Sequence, residues 1–316
     1  MYLYLKFKVL NFKDISNFLK NNNTKIVFVG PEVPLVNGIK DYLEKKGFFI
    51  FGPSKAASRL EKSKSFTKTL CKKYKIPTAN YKSFNSMKGV KEYIDKMNVP
   101  IVIKADGLAS GKGVFICKNK NTALQKCKAI NQGKFKSSKK FVIEEFLSGE
   151  EASYFILSDG KNYKFFGTAQ DHKRIGEGDT GPNTGGMGAY SPSNIINEVV
   201  EEKIKKQIIE PTLRGLKKMG CPFVGVLYAG LIIKNNQPKL IEYNIRLGDP
   251  ESQVLMMRLK TDLPSNHNRL FKNEFYSWDS FVDLDKLINF CQYYWIPEGP
   301  ESVDITTETV LENATI

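Results

Sequence analysis

The chain has 316 residues, of which 41% are hydrophobic and 26% are charged, and it carries a formal net charge of +15. This length allows two or three subdomains with a substantial buried core, and a composition near the globular average argues against wholesale disorder. No apolar run approaches the roughly 20 residues that span a bilayer. The apolar start Met1–Leu10 is interrupted by lysines and has no small-residue cleavage site. We therefore predict a cytoplasmic protein with no membrane partner.

The positive charge does not indicate a nucleic-acid partner. Lysines are spread along the whole chain, often beside asparagine, as in Lys20–Asn23 and Lys118–Asn121. The sequence has no arginine cluster and no interleaving of basic and aromatic residues of the kind that nucleic-acid recognition modules carry. We interpret the charge as a solvated basic surface that gives at most a modest kinetic benefit in attracting polyanionic nucleotides.

The cysteines are scattered, and no two of them form a C-x-x-C pair. Their odd total and their spacing argue against a disulfide framework or a zinc knuckle and suit a reducing compartment. We predict that all five are small core residues: Cys71, Cys117, Cys127, Cys221 and Cys291.

The beginning of the chain has the pattern of an α/β unit. Lys25–Glu32 predicts a buried parallel strand that runs into a loop, Val36–Lys46 a helix, and Phe48–Pro53 a second strand. A strand, a helix and a strand joined by short loops make a βαβ unit. The segment Ser54–Tyr74 predicts a further helix.

From Pro77 onwards short strands alternate with helices, which predicts two α+β lobes around a cleft. A late helix is predicted over Phe275–Gln292, and Glu298–Ile316 is polar and β-branched without a clear partner. The predicted helices are Val90–Met97, Thr122–Asn131 and Val199–Met219. The predicted strands are Ala79–Tyr81, Pro100–Lys104, Val114–Cys117, Phe141–Phe146, Ala152–Leu157, Lys164–Ala169, Gly225–Ile233 and Lys239–Asn244.

A glycine-rich turn, Gly107–Gly113, lies between two apolar strands. Its three glycines allow the backbone to approach a phosphate closely, and Lys112 adds charge at the tip. It is not a Walker loop, because no helix that starts in Gly-Lys-Ser/Thr follows. Lys104, on the preceding apolar strand, must find an anion or suffer a desolvation cost. The alternative interpretation is an ordinary hairpin loop.

Acidic residues follow the apolar strand Phe141–Ile143. Glu144 and Glu145 end this strand, and Glu150 and Glu151 come shortly afterwards. Adjacent strand residues point to opposite faces, so at most one of each pair faces a given site. Backbone groups at this position can read an adenine edge, and a carboxylate can accept ribose hydroxyls. The alternative is a solvated acidic loop.

The segment Asp171–Pro192 combines a charged cluster with many glycine, proline and asparagine residues. This composition predicts a shaped loop, neither helix nor strand, whose backbone N–H groups are free to bind an anion. His172 lies in the loop without the serine or cysteine partner of a nucleophilic triad, so we interpret it as a residue that positions the loop.

Glu242 and Asn244 are two positions apart on a predicted strand, so both point to one face. A carboxylate and a carboxamide oxygen that converge suit a hard cation such as Mg²⁺, with nucleotide phosphates as the remaining ligands. Arg246 continues this face with a planar fork that suits a carboxylate or a phosphate. The alternative is a solvated strand with alternating polar residues, which the Gly-Asp-Pro-Glu turn directly afterwards makes less favourable.

In this order, the motifs resemble those of the phosphoribosylamine–glycine ligase family of purine biosynthesis, a family of ATP-grasp enzymes. The resemblance extends from about Asp14 to Leu263. Family members begin with a glycine-rich strand-to-helix turn and carry a further C-terminal domain, so we expect this chain to be the ATP-grasp core with both ends shortened. The matching blocks are Val29–Glu32, Phe51–Pro53, Ser63–Lys68, Ile103–Gly113, Ile143–Leu147, Gly149–Ser153, Gln170–Pro192, Tyr228–Gly230 and Ile241–Glu251.

The predicted fold class is α/β and α+β, with a partial N-terminal βαβ domain followed by a two-lobed ATP-grasp domain. The expected boundaries are 1–60 for the N-terminal substrate domain, 61–263 for the ATP-grasp domain with its small lobe at about 77–146, and 264–316 for a divergent C-terminal remnant.

The resemblance implies a ligase that converts ATP, glycine and 5-phosphoribosylamine to glycinamide ribonucleotide, ADP and phosphate through a glycyl phosphate, with Mg²⁺ or Mn²⁺. The implied partners are these small molecules only, with no nucleic acid, and the chain is expected to be a monomer or a weak oligomer. The alternative is a truncated remnant that binds nucleotide without full ligase activity.

The resemblance also implies roles for individual residues. Arg246 and Lys104 are the expected catalytic residues, and Glu242 and Asn244 the expected metal ligands. The expected ATP-binding residues are Lys68, Lys104, Gly107, Ser110, Gly111, Lys112, Gly113, Glu144, Glu145, Phe146, Leu147 and Glu151. The expected substrate-binding residues are Pro31, Glu32, Asp171, Lys173, Asn183, Thr184, Gly185, Gly186, Arg246, Gly248 and Asp249.

Overall fold

The structure of the protein is a computed structural model. It describes residues 8–24, 26–108, 113–134, 138–172, 174–176, 180–183, 186–260 and 288–291. In this part of the chain, no helix is both long enough and apolar enough to cross a membrane.

The N-terminal region forms the predicted βαβ unit, and its two strands pair in parallel, with Ile26 opposite Phe49. The single helix predicted over Val36–Lys46 is wrong, because Gly38 adopts a left-handed φ of 91° that ends one helix and starts the next. The elements are α1 (Phe12–Asn21), β1 (Ile26–Phe28), α2 (Glu32–Asn37), α3 (Ile39–Glu44) and β2 (Phe49–Phe51).

Two helices connect this unit to the rest of the molecule, α4 (Arg59–Lys62) and α5 (Lys64–Tyr74). The sequence predicts one helix here, but Ser63 is extended and its side chain accepts a hydrogen bond from the Phe66 N–H at 3.2 Å. A serine at this position satisfies one of the N–H groups that a helix start leaves unpaired. Ser63 therefore begins a new helix rather than continuing the old one.

The small lobe is a four-stranded antiparallel sheet with the order β3-β6-β4-β5. Two helices cover one face of it, and buried apolar side chains such as Ile94, Ile130 and Ile143 form the core between them. The elements are β3 (Tyr81–Phe84), α6 (Val90–Asp95), β4 (Ile101–Ala105), β5 (Val114–Cys117), α7 (Lys120–Asn131) and β6 (Phe141–Glu145).

The large lobe contains a six-stranded sheet with the order β13-β12-β7-β8-β11-β14. A continuous helical run packs on it and buries Val200, Ile204 and Leu216 in the main core. The strands are β7 (Glu150–Asp159), β8 (Tyr163–Asp171), β11 (Gly188–Ser191), β12 (Val224–Lys234), β13 (Gln237–Asn244) and β14 (Ile288–Cys291). The helical elements are α8 (Glu198–Ile204), a π-helical turn (Lys205–Ile209), α9 (Glu210–Lys218) and, after β13, α10 (Glu251–Met256).

Two sequence predictions are wrong in the large lobe. The segment Asp171–Pro192 does contain strands: β9 (Arg174–Gly176) pairs with β10 (Thr180–Asn183), and β11 pairs with β8. The late helix is also wrong at Ile288–Cys291, which pairs with β11 as β14. Open sheet edges offer unpaired backbone groups, and these can recruit segments of low strand propensity.

The two lobes meet along β13. Thr78, just before β3, forms an isolated parallel bridge with Leu240, and the Leu240 N–H donates to the Pro77 carbonyl at 2.8 Å. The carboxyl end of β13 therefore lies where the small lobe and the large lobe join. The side chains of four of the five cysteines are described, and they are buried and free, as predicted: Cys71, Cys117, Cys127 and Cys221.

Candidate active site

Three charged side chains meet at the junction of the lobes, and we call Lys68, Glu144 and Lys104 the lysine cluster. The Glu144 Oε2 atom lies 3.2 Å from the Lys68 Nζ atom and 3.1 Å from the Lys104 Nζ atom. The three side chains are only 3–5% exposed. Lys104 is thus the apolar-strand lysine that had to find an anion, and the anion within the protein is Glu144.

The charges of the lysine cluster do not cancel, because two ammonium groups surround one carboxylate. Burial lowers the pKa of Lys68, and the neighbouring Glu144 carboxylate opposes that shift. The second carboxylate oxygen, Glu144 Oε1, is buried without a hydrogen-bond partner among the described residues. Buried polar atoms normally have partners, so this one is an acceptor available to a ligand donor.

Both lysines also contact the β13 backbone. Lys104 Nζ donates to the Ile241 carbonyl at 3.3 Å. Lys68 Nζ donates to Thr78 Oγ1 at 2.7 Å, and this hydroxyl donates to the Leu240 carbonyl at 2.6 Å. An ammonium has three N–H groups, so the contacts among the described residues leave one on each lysine. The lysine cluster therefore lies directly beside the strand that carries Glu242 and Asn244.

The start of the glycine-rich turn is held against the N-terminus of α5. The Asp106 carboxylate accepts from the Ser63 hydroxyl and from the Ser65 N–H, both at 3.3 Å, and Lys64 Nζ donates to the Gly107 carbonyl at 3.3 Å. Gly107 has a φ of 139°. Sequence reasoning missed Asp106, although its place between the strand and the glycines is a usable signal. The predicted residues Ser110, Gly111 and Lys112 lie outside the described part of the chain.

The end of the turn and the strand after β6 carry the other predicted ATP-binding residues. The Gly113 carbonyl accepts from the Ala105 N–H at 2.8 Å, which closes the turn. Glu145 points away from Glu144 and accepts from the Asn80 backbone N–H at 2.9 Å. The alternative of a solvated acidic loop is therefore wrong for Glu144 and Glu145. Of the remaining predicted residues, Phe146 and Glu151 are exposed and Leu147 is half-buried.

The predicted metal-binding face of β13 has the expected alternation. Glu242 and Asn244 are half-buried, whereas Tyr243 between them is buried at 2% exposure. The Tyr243 hydroxyl lies 2.5 Å from Thr212 Oγ1 on α9, on the opposite side of the strand. Glu242 and Asn244 therefore share the face that Tyr243 does not use, as the two-residue spacing predicts.

A second group of charged residues lies immediately beyond β13, and we call Arg246, Glu32 and Glu61 the arginine cluster. Arg246 Nε donates to Glu32 Oε2 at 3.0 Å, and Arg246 Nη2 lies 3.7 Å from Glu61 Oε1. Arg246 Nη1 donates to the Leu247 carbonyl at 2.8 Å. Burial works to lower the pKa of Arg246, but Glu61 and Glu32 raise it. The predicted substrate residues Glu32 and Arg246 are thus in direct contact, and Pro31 is exposed beside them.

Glu61 is a member of this cluster that sequence reasoning missed. Its Oε2 atom accepts from the Ile245 N–H at 2.9 Å, across 184 positions of sequence. Burial raises the pKa of Glu61 to about 7, while Arg246 and the Ile245 N–H oppose the rise and Glu32 and Glu242 add to it. No local pattern singles out Glu61, because its partners come from the far end of the domain.

The predicted acceptor loop packs on the turn that follows Arg246. Gly186 has a φ of 116°, and a Cβ atom there would lie 2.6 Å from Pro250 Cδ. A Cβ atom on Gly248 would lie 2.3 Å from Glu251 Oε2. At both positions the neighbouring side chains leave no room for a Cβ atom in this conformation. Lys173, Thr184 and Gly185, and the side chain of Asn183, lie outside what the structure describes.

Hydrogen bonds beneath the turn hold it in place. Glu251 Oε1 accepts from the Tyr228 hydroxyl at 2.8 Å, and Ser153 Oγ lies 2.8 Å from the same hydroxyl. Asp249 is exposed and accepts from Gln253 Nε2 at 3.1 Å. Asp171 is half-buried at the end of β8, where it pairs with Ala189. The ring centroids of His172 and Tyr190 lie 5.8 Å apart, which suits a residue that positions the loop.

The protein-family comparison matches the chain in two segments. Residues 62–252 match the family model described as phosphoribosylglycinamide synthetase, ATP-grasp (A) domain. Residues 4–61 match the model of the N domain of the same synthetase. The boundary between the models falls between Glu61 and Lys62, inside α4.

Curated relatives include the phosphoribosylamine–glycine ligase of Mesorhizobium japonicum, which is 52% identical over 260 residues, covering 82% of this chain and 61% of the relative. The chloroplastic phosphoribosylamine–glycine ligase of Arabidopsis thaliana is 53% identical over 253 residues, covering 79% of this chain and 48% of the relative. The chain therefore spans about half to three-fifths of the length of these relatives.

Solved structures agree with the sequence comparison. The phosphoribosylamine–glycine ligase of Thermotoga maritima matches with a TM-score of 0.67 and 37% identity, covering 71% of this chain and 57% of that one. Biotin carboxylase of Campylobacter jejuni matches with a TM-score of 0.70 at 18% identity, covering 89% of this chain and 62% of that one, which shows the fold alone. The predicted fold class, an α/β N-terminal domain followed by a two-lobed ATP-grasp domain, is confirmed.

Proposed function

The chain belongs to the phosphoribosylglycinamide synthetase family, and on this premise we propose that it is an ATP-dependent carbon–nitrogen ligase of purine biosynthesis. It joins glycine to 5-phosphoribosylamine and forms glycinamide ribonucleotide, ADP and phosphate. The observation that carries the proposal is the convergence of the lysine cluster, the Glu242–Asn244 face and the arginine cluster on the carboxyl end of β13.

The lysine cluster supports ATP as the energy source. Its excess positive charge is buried, and each ammonium keeps one N–H for a ligand oxygen. A phosphate chain beside Lys68 and Lys104 balances this charge, and the unpartnered Glu144 Oε1 accepts a ligand donor. The other proposed ATP-binding residues are Gly107, Ser110, Gly111, Lys112, Gly113, Glu145, Phe146, Leu147 and Glu151.

Glu242 and Asn244 fit a divalent cation, because they bring a carboxylate and a carboxamide oxygen to one half-buried face. The described residues contain no group of three or more His, Cys, Asp and Glu side chains that could hold an ion alone. This suits an ion that shares its ligands with a nucleotide. Bound Mg²⁺ or Mn²⁺ neutralises charge on the phosphates.

Arg246 is the proposed catalytic residue on the acceptor side, together with Lys104 on the phosphate side. The reaction proceeds through a glycyl phosphate, formed when the carboxylate of glycine attacks the γ-phosphate of ATP and ADP leaves. The amine of phosphoribosylamine then attacks the acyl carbon and expels phosphate. The protein positions the three reactants and stabilises developing negative charge with Lys104 and Arg246.

Arg246 suits this role because its guanidinium is already fixed. Glu32 and the Leu247 carbonyl accept two of its five N–H groups, and Glu61 faces a third at 3.7 Å. The remaining fork can bind the carboxylate of glycine or the phosphate of the sugar. Asp171, Lys173, Asn183–Gly186, Gly248 and Asp249 are the other proposed acceptor residues, and we place the reaction in the cytoplasm with the protein as a monomer or weak oligomer.

ADP release tests the proposal directly. The protein is assayed with ATP and Mg²⁺, with glycine and phosphoribosylamine each present or omitted. We expect ADP only when both acceptors are present, and glycinamide ribonucleotide in equal amount. ADP without acceptors, or a preference for another amino acid, contradicts the assignment. Tight ATP–Mg²⁺ binding without any product supports the nucleotide-binding remnant instead.

A further inference from the structure

We propose that Glu61 is a positioning residue that holds the segment Asn244–Arg246 from helix α4. Through this segment it sets the position of the metal ligand Asn244 and the orientation of the Arg246 guanidinium. The inference rests on the proposed function and goes beyond it, because it assigns a role in the ligase site to a residue of the linker between the N domain and the ATP-grasp domain.

The first step is the backbone contact. The pairing of β13 with β12 ends at Asn244, opposite Tyr228. The next N–H group, that of Ile245, donates to Glu61 Oε2 at 2.9 Å. A carboxylate that accepts from a backbone N–H makes a stronger bond than a neutral acceptor does. Glu61 therefore fixes the chain directly after Asn244, where the β-ladder no longer does.

The second step is the contact with Arg246. The other Glu61 oxygen, Oε1, lies 3.7 Å from Arg246 Nη2, and Glu32 accepts a hydrogen bond from Arg246 Nε at 3.0 Å. Glu32 and Glu61 thus approach the guanidinium at different nitrogen atoms. These two carboxylates, which come from outside the strand, define the plane of the Arg246 guanidinium. Its other N–H groups remain for the carboxylate or phosphate of a substrate.

The third step is the rigidity of the support. Leu60, the neighbour of Glu61, is 2% exposed in the main core, and its carbonyl accepts from Thr67 Oγ1 at 2.6 Å. The Glu61 side chain is 10% exposed. Burial raises the pKa of Glu61, and Arg246 is the cation that opposes this rise. An ion pair between mobile surface side chains lacks this burial and this hydrogen bond. The packing of α4 therefore fixes the orientation of Arg246.

Two substitutions separate the two contacts of Glu61. Glu61→Gln keeps an acceptor for the Ile245 N–H and removes the charge that faces Arg246, whereas Glu61→Ala removes both. The matched control is Tyr243→Phe, which removes a buried hydrogen bond from the same strand on the face away from the site. Thermal unfolding measures the stability of all four proteins.

The functional measurements are the affinity for Mn²⁺ in the presence of ATP, followed by electron paramagnetic resonance, and kcat and KM for each substrate. For Glu61→Ala we expect Mn²⁺ affinity and kcat to fall by about 10-fold or more, the size typical of changes behind a metal ligand. For Glu61→Gln we expect Mn²⁺ affinity near that of the unmodified protein and a KM for glycine or phosphoribosylamine raised about 10-fold. The KM for ATP should stay unchanged.

The inference is overturned if Glu61→Ala resembles Tyr243→Phe, with lower stability but the same Mn²⁺ affinity and kcat. If the unmodified chain binds Mn²⁺ and ATP yet forms no product, the proposed function fails, and the inference is decided by whether Glu61→Ala weakens Mn²⁺ binding. If the unmodified chain does not bind Mn²⁺ with ATP, both are overturned.

Discussion

The lysine cluster lies beside β13 and the arginine cluster lies immediately beyond it, and the two clusters differ in which kind of ionisable group predominates. The lysine cluster has two ammonium groups around one carboxylate. The arginine cluster has one guanidinium against Glu32 and Glu61, with Glu242 close enough to raise the pKa of Glu61. The lysine cluster therefore favours an anion. At the other end the carboxylates suit the amine of an acceptor, and the other N–H groups of Arg246 remain for its carboxylate or phosphate.

The two clusters also differ in burial. The side chains of the lysine cluster are 3–5% exposed, and those of the arginine cluster are 10–25% exposed. Buried ions of one sign are tolerated only beside a counter-ion, which explains why Glu144 sits between the lysines. In the more open arginine cluster, water partly screens the two carboxylates from each other. The proposed phosphate site is therefore held by buried ion pairs, whereas the proposed acceptor site is more open to solvent.

The largest expected effect belongs to Glu242, which supplies negative charge between the two clusters. Glu242→Gln keeps the shape of the side chain and removes the charge. If Glu242 is a metal ligand, turnover should fall by more than about 100-fold while the fold stays intact. The loss of a ligand should exceed the effect of losing a residue that only positions a ligand. Asn244→Ala should act in the same way. Steady-state rates as a function of Mg²⁺ concentration measure this.

The matched control for Glu242→Gln is Glu202→Gln, which makes the same chemical change in the exposed ion pair between Glu202 on α8 and Lys206 on the π-helical turn. It should leave turnover unchanged. If Glu242→Gln behaves like this control, with unchanged metal dependence, β13 has a structural role only.

The second prediction compares the two signs within the lysine cluster. Lys104→Met breaks one buried ion pair and Glu144→Gln breaks two, and each substitution should lower the free energy of unfolding by at least about 3–5 kcal/mol. The stabilisation by added ATP and Mg²⁺ should be small for Lys104→Met, where the excess positive charge is gone. It should persist for Glu144→Gln, where that excess is larger. Urea unfolding with and without ATP measures both quantities.

Lys91→Met serves as the control here, because Lys91 pairs with Asp95 on the exposed side of α6. Its stability should change by less than about 1 kcal/mol. If ATP stabilises Lys104→Met and Glu144→Gln equally, the excess positive charge of the lysine cluster does not contribute to ATP binding.

The third prediction concerns the pH dependence of the arginine cluster. Burial raises the pKa of Glu61 from 4.5 to about 7. Arg246 opposes this rise, whereas Glu32 and Glu242 add to it. The unfolded chain therefore releases the Glu61 proton more readily than the folded one. The contribution of Glu61 to stability is fully present below pH 4.5 and is lost as the pH rises to 7, by about 3 kcal/mol in total.

Denaturant unfolding between pH 4 and pH 8, without nucleotide and metal, measures this loss. Glu61→Gln should remove that component, because the amide does not titrate. An unchanged pH profile in Glu61→Gln shows that the Glu61 carboxyl does not titrate in this window.

The smallest expected effect belongs to Gly186 at the acceptor end. Gly186→Ala places a Cβ atom 2.6 Å from Pro250 Cδ at a φ of 116°, so the loop or the turn must shift, at a cost of about 1–3 kcal/mol. We expect a higher KM for the acceptors and an unchanged KM for ATP. Gly220→Ala is the control, since Gly220 also has a positive φ of 72° but no atom within 4 Å of the added Cβ. A raised KM for ATP in Gly186→Ala contradicts the division into two ends.

Features that depend on residues close in sequence were predictable from the amino-acid pattern. The two-residue spacing of Glu242 and Asn244 set their common face, because strand side chains alternate. The apolar runs set the βαβ unit and most of the strands. The burial of Lys104 in an apolar strand required a counter-ion, although nothing local identified which one.

The partners of the charged residues follow from the three-dimensional packing and not from local sequence. Glu144 became the counter-ion of both lysines because β6 pairs with β4 and α5 packs beside them. Gly188–Ser191 became a strand because the edge of β8 offered unpaired backbone groups, despite a composition that predicts a loop. Glu61 reached Ile245 across 184 positions of sequence. Local propensity is carried by adjacent residues, whereas the energy of a buried charge depends on everything packed around it, and that is fixed only when the chain has folded.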